Sequence, residues 1–238
     1  MHEYYRSREE KLKKEMDGYL STIGKELEEE LHEDYGKILE KVWLVYFHDM
    51  LENFPYIGGD KASGTKNLTG AYMFVALGVV ATESGMTLDR WGELSTIAYG
   101  RTFDKVPGIM VKLLGWAMKH PSSTRKMLKR KDEKNRKNNA ENPGSFLTRT
   151  DEGNEEYPII YNTTQCPLSD FAMKYGYTEF MPYICNLDYV MFEKFKVPFY
   201  REKTCSDGDG ICDFKFKPGA PLSPSWPCHA ADPSDPLK

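Results

Sequence analysis

The sequence has no long hydrophobic run. Its longest apolar stretch, AYMFVALGVVA over residues 71–81, is too short to span a bilayer and reads as a buried helix. The first thirty residues are rich in Glu and Lys and lack an apolar signal core, so no secretory signal is expected. Charge of one sign is missing too. A net charge of −4 provides no global basic field, so neither nucleic acid nor an anionic membrane is an expected partner. Cysteine is odd in number. The five, at positions 166, 185, 205, 212 and 228, all fall in the last third with scattered spacing, which predicts free thiols in a reducing cytoplasm. The sequons at Asn67 and Asn162 then stay unglycosylated. Histidine is as scarce, with five residues and no HExxH. GxGxxG, P-loop and GxSxG patterns are absent, which removes the usual nucleotide loops and the serine nucleophile elbow. There is no internal repeat.

What remains is an ordinary globular composition, 40% hydrophobic and 29% charged, long enough for one large domain or two small ones. Residues 1–140 read as helical. From Tyr35 to Phe54 apolar residues recur at helical spacing, and NFPYIGGDKASG breaks the pattern. Helices follow over about 67–84, with Gly85 at the C-cap, from Thr87 as N-cap, over 108–120, and from Ser122 into RKMLKRKDEKNRKNN. The end of that stretch becomes too polar to pack and dissolves into NNAENPG, a loop or linker. Residues 141–217 change in texture. SFLTRTD and EYPIIYN read as strands, PLSDFAMKYG and FMPYICNLDYVMFEKF as helices. VPFYREKTC and ICDFKFK read as two strands joined by an SDGDG hairpin turn. Residues 218–238 are Pro-rich and form an extended or wrapping arm. The expected fold class is α+β: a mostly helical N-terminal part and a smaller C-terminal part with an antiparallel sheet.

Two short stretches can carry chemistry. CSDGDGICDFKF, over 205–216, fails as a calcium loop because Ile211 falls where a ligand is required. Its glycines and aspartates suit a turn, and strand alternation sends Cys212, Phe214 and Phe216 to the core face. In ICNLDYV, Cys185 and Asp188 are i and i+3 and share a helix face. A thiol beside a carboxylate is either a nucleophile with its acid–base partner or a pair of metal ligands; equally, it is a core cysteine with Asp188 paired to a strand cation such as Arg201. No cofactor is expected; zinc is the alternative, on Cys166, Cys185 and Cys212 if the fold brings them together. His48, in VYFHDML, is the only histidine inside a strongly apolar helix. Residues 119–137 carry nine Lys or Arg against two acids, with no interleaved aromatics, and read as a solvated helix end.

The stretch from TTQCPLSDFAMKYG through ICNLDYV to DGDGICDFKF resembles the C-terminal signature of the L-2-amino-thiazoline-4-carboxylic acid (ATC) hydrolase family. The carrying positions are Cys166, Cys185, Asp188, Arg201, Gly208, Asp209, Cys212, Asp213 and Phe214. FPYIGG and residues 68–94 are similar to the family's N-terminal region more loosely. Cys205 and Cys228 lie outside the pattern. The resemblance implies a hydrolase that opens a small polar cyclic amidine or isothiourea by C–N or C–S cleavage. On that footing Cys185, Asp188, Cys166 and Cys212 are the candidate catalytic residues, and Arg201, Asp209 and His48 the candidate substrate-binding ones. The Gly–Cys–Phe ending is also similar to four-vinyl-reductase-type binding domains, which leaves a non-catalytic sensor open, as well as another reaction on the same fold. The expected partner is a small-molecule substrate, with a homo-oligomer possible.

Overall fold

The computed structural model describes residues 1–62, 64–104 and 106–229. Eight helices come first: α1 (Glu3–Arg6), α2 (Glu9–Leu20), α3 (Gly24–Leu31), α4 (Tyr35–Val45), α5 (Gly64–Glu83), α6 (Leu88–Thr102), α7 (Gly108–Met118) and α8 (Pro121–Glu141). Strands β1 (Leu147–Asp151) and β2 (Ile159–Gln165) follow, then α9 (Pro167–Tyr175), α10 (Met181–Lys194), β3 (Phe199–Tyr200) and β4 (Cys212–Phe216). The strands form one sheet in the order β1-β2-β4-β3, and every pairing is antiparallel. The class is α+β.

Helix α5 is the hub. It is apolar on every side and packs against α4, α6 and α10, which is why its sequence shows a run and not a stripe. Its neighbour α6 starts where expected: the Thr87 hydroxyl accepts from the Arg90 N–H at 3.2 Å. Trp91 is fully buried and donates to the Phe74 carbonyl at 3.0 Å, fixing α6 on α5. Helix α10 then lies close on α6 because residue 92 is glycine. A Cβ there would collide with the Tyr183 ring. This close approach sets the height of Cys185 and Asp188.

The sheet has one inward face. Alternation puts Ile159, Tyr161 and Thr163 of β2 on it, beside Cys212, Phe214 and Phe216 of β4. Asn162 and Asp213 take the opposite face and are held by polar partners: Asn162 Nδ2 donates to Asp151, and Asp213 pairs with Lys215.

Two expectations are corrected. The polar end of the helix after residue 121 does pack: α8 runs to Glu141, two residues past RKMLKRKDEKNRKNN and into the stretch expected as a loop. Its polar residues bond to the sheet instead of burying apolar surface. Asp132 accepts from the Thr148 hydroxyl at 2.7 Å and from the Thr150 N–H at 2.8 Å, and Asn135 donates to Thr148 at 2.8 Å. Nor is there a tight hairpin at SDGDG. Strand β3 has two residues, and residues 201–211 form a long connection with a single 3-10 turn, Cys205–Asp207. The Asp213 carboxylate folds it by accepting from the N–H groups of Glu202 (3.0 Å) and Lys203 (2.7 Å). After β4 the chain runs back along α10. Ser223 donates to the Phe199 carbonyl at 2.8 Å, and Asn186 donates to the Ser225 carbonyl at 2.7 Å. The remainder of the Pro-rich arm, 230–238, lies outside the described residues.

Candidate active site

Between the inward face of the sheet and helices α5, α7, α8 and α10 lies a cavity of about 590 Å³. Most of its wall is apolar, including Phe74, Leu114, Phe192 and Phe214. Its polar groups include Cys166, Cys185, Asp188, Arg201 and Cys212, so five residues from four separate sequence stretches line one space. Each comes from a different local cause. Cys166 is the residue before α9, with Pro167 at the first helical position. Cys185 and Asp188 project from one face of α10. Arg201 follows β3, and Cys212 opens β4 on the inward face.

Asp188 and Arg201 form the electrostatic centre. Arg201 Nη1 donates to Asp188 Oδ2 at 2.7 Å, and its Nη2 donates to the Cys185 carbonyl at 2.9 Å. The guanidinium is ringed by Tyr189, Phe199 and Phe214, whose centroids lie 5.6 to 5.8 Å away. Burial acts against this cation, and the charge of Asp188 more than offsets it, so its pKa is raised and Arg201 stays protonated. The Asp188 side chain keeps 34% of its surface accessible, and that surface faces the cavity, enclosed by protein. Burial raises its pKa, with Arg201 pulling the other way.

The thiols are held protonated. Burial raises Cys166, with a smaller push from Cys212, and the N–H groups of Ser169 and Leu168 pull back without winning. Cys185 is pushed up to about 12, by burial first, against the pull of Arg201. Its Sγ lies 3.4 Å from the Ser206 hydroxyl. Cys212 is raised by its hydrogen bond with the Cys205 thiol and by burial, while its Sγ accepts from the Cys205 N–H at 3.2 Å. Cys185 lies in the second turn of α10, so it does not hold a helix N-cap position. Cys166 is the thiol at an N-cap, that of α9.

The remaining candidates sit elsewhere or do other work. Arg201 is 1% exposed, with Nη1 and Nη2 bonded to Asp188 and the Cys185 carbonyl and its buried Nε without a partner among the described residues. Asp209 is exposed and does not line the cavity. Its carboxylate accepts from the Thr204 N–H at 3.1 Å and shapes the connection. His48 is not a core residue. It sits in a π-helical turn, Tyr46–Met50, with its side chain 59% exposed and Glu52 at 3.9 Å, away from the cavity. Among the described residues, no three His, Cys, Asp or Glu side chains are grouped to hold a metal ion.

Sequence reasoning missed two tyrosines. Tyr99, on α6, lines the cavity, and after burial the charge of Asp188 is the next cause raising its pKa. Nothing in its local pattern singles it out. Tyr161 lines the cavity with a buried hydroxyl that has no hydrogen-bond partner among the described residues. The alternation Ile159, Tyr161, Thr163 was the signal that could have found it.

Neither the curated proteins nor the solved structures give a match. The family model of L-2-amino-thiazoline-4-carboxylic acid hydrolase matches residues 104–216. The match takes in Cys166, Cys185, Asp188, Arg201 and Cys212, and leaves out FPYIGG, residues 68–94 and His48. Over these residues the chain is similar to the ATC hydrolase family.

Proposed function

We propose that this protein is a hydrolase that opens a cyclic amidine or isothiourea-type ring by cleaving a C–N or C–S bond. The observation that carries the reading is the convergence of three thiols and the Asp188–Arg201 pair on one cavity. Hydrolysis of such a ring requires water to attack an sp² carbon bearing nitrogen and sulfur. Asp188 suits the base. Arg201 favours its ionised form, while burial makes it more basic than a surface carboxylate. The proton it takes from water passes to the departing sulfur or nitrogen, so the carboxylate ends as it began. The cavity thiols are weak S–H donors beside the carbon under attack. The five free thiols favour a reducing, cytoplasmic setting.

The test is turnover of a 2-amino-thiazoline carboxylate by purified protein, with Asp188→Asn, Cys166→Ser and Cys185→Ser in parallel. Loss of activity by about 10²-fold or more in Asp188→Asn, with both serine variants active, fits the general-base route. Loss in Cys185→Ser alone replaces it with a covalent thiolate route. A second reading, a binding domain without turnover, is favoured by the protonated state of the thiols. Tight binding of the compound with no change in its mass would select that reading and sink the first.

A further inference from the structure

Helix α7 buries none of its residues. Ile109, Leu113 and Trp116 are 62%, 59% and 56% exposed, and their i, i+4, i+7 spacing sets them in one outward stripe. Trp116 stacks on His120 at 4.3 Å, which carries the patch onto the start of α8, where Met127 is 57% exposed. An apolar patch of this kind marks a docking surface. The charge around it is one-sided. Residues 107–131 hold seven Lys or Arg and no acid, in a chain whose net charge is −4. Lys112 and Lys119 fall along the edge of the stripe by helical spacing. With Lys126 and Arg130 they are exposed and make no ion pair among the described residues.

From this we propose that the outward face of α7 docks the protein on an anionic lipid surface. An apolar stripe with Trp and Leu, rimmed by lysines, is what an interfacial helix presents to lipid headgroups and the acyl boundary. Eleven residues make a helix of about 16 Å, which lies on a bilayer and does not cross it. No helix among the described residues is long and apolar enough to cross. A second copy fits the same face poorly, because a two-fold contact would bring the two lysine rims together. The inner side of α7, at Leu114 and Met118, lines the cavity, so docking would set a cavity wall against the lipid. The near-neutral total charge conceals the patch, which is why a membrane partner was not expected from composition. The proposal stands independently of any hydrolytic activity.

The experiment is co-sedimentation of the full chain with vesicles of phosphatidylcholine alone and of phosphatidylcholine mixed with phosphatidylserine. Binding should appear with the mixed vesicles, weaken with added salt, and shift Trp116 fluorescence to the blue. Leu113→Ser/Trp116→Ser and, separately, Lys112→Glu/Lys119→Glu should each reduce partitioning by about tenfold or more. All four positions are exposed, so circular dichroism should be unchanged. No binding to mixed vesicles overturns the proposal. So does a dimer in light scattering that Leu113→Ser/Trp116→Ser dissociates, with no vesicle binding, which would assign the face to a second copy.

Discussion

Asp188 and Arg201 are thirteen residues apart in the chain and 2.7 Å apart in space, and they join α10 to the segment after β3. The pair is asymmetric. Arg201 is sealed in aromatic rings, whereas Asp188 turns part of its surface to the cavity. A sealed cation bonded to a cavity carboxylate fixes where that carboxylate points.

Removing the cation should therefore cost stability as well as function. Arg201→Met leaves Asp188 without its partner, and breaking a buried pair from one side costs about 3–5 kcal/mol. Asp188→Asn/Arg201→Met should cost clearly less than the sum of the single changes, because neither variant group is then an unpaired ion. Urea unfolding of the four proteins measures the coupling. Strict additivity would mean that the 2.7 Å contact carries no energy.

Alkaline pH should weaken the fold. Cys185 rises from 9.0 to about 12 in the folded protein. A thiol with a raised folded pKa holds its proton more tightly when native, so its stabilisation is complete below 9. It is lost as pH climbs from 9 toward 12, at up to about 1.4 kcal/mol per pH unit for one group. Buried tyrosines add to the same trend at higher pH, so the comparison is wild type against Cys185→Ser. The variant's melting temperature should fall less steeply between pH 9 and 10.5. Identical slopes would show that Cys185 is not protected.

The legibility of the fold follows where one physical rule governs. The 3.6-residue spacing fixed Cys185 and Asp188 on one face, and strand alternation aimed Cys212 inward, because both rules act locally. Local rules failed where polar groups find partners far along the chain. Helix α8 looked too polar to pack because its partners, Thr148 and Thr150, lie beyond its own end. The connection 201–211 looked like a hairpin turn because its organiser, Asp213, sits in the next strand. His48 was misjudged for the opposite reason. Its neighbours are apolar, but the π-helical turn at Tyr46–Met50 accompanies an outward-facing side chain. Tyr99 could not be read at all, since its meaning comes from α10.

The glycine contact under α10 gives a structural control. Gly92→Ala should push α10 away from α6 through the Tyr183 ring and cost about 1–3 kcal/mol. If the placement of Cys185 and Asp188 depends on that contact, ligand affinity or turnover should drop with it. Tyr183→Leu in the Gly92→Ala background should recover part of the stability by clearing the ring. A neutral Gly92→Ala would show that α10 tolerates a wider seat.

Asp213 offers the sharpest test of how the CSDGDGICDFKF segment works. Its carboxylate accepts two backbone N–H bonds and pairs with Lys215 at 2.9 Å, all on the face away from the cavity. Asp213→Ala strands two backbone donors, at about 1–3 kcal/mol each if they stay dry. Its effect should reach the cavity indirectly. The released connection carries Ser206, whose hydroxyl sits 3.4 Å from Cys185, and Cys205, whose N–H donates to Cys212. Losing those contacts removes hydrogen-bond constraints on two thiols without touching either. The readout is alkylation by iodoacetamide followed by peptide mass mapping. Asp213→Ala should speed labelling of Cys185 and Cys212 while leaving Cys228, whose thiol donates to the Pro182 carbonyl and does not touch the connection, unchanged. Asp213→Asn keeps one acceptor oxygen and should fall between the two. Equal labelling in all three proteins would mean that the connection does not hold the thiols in place.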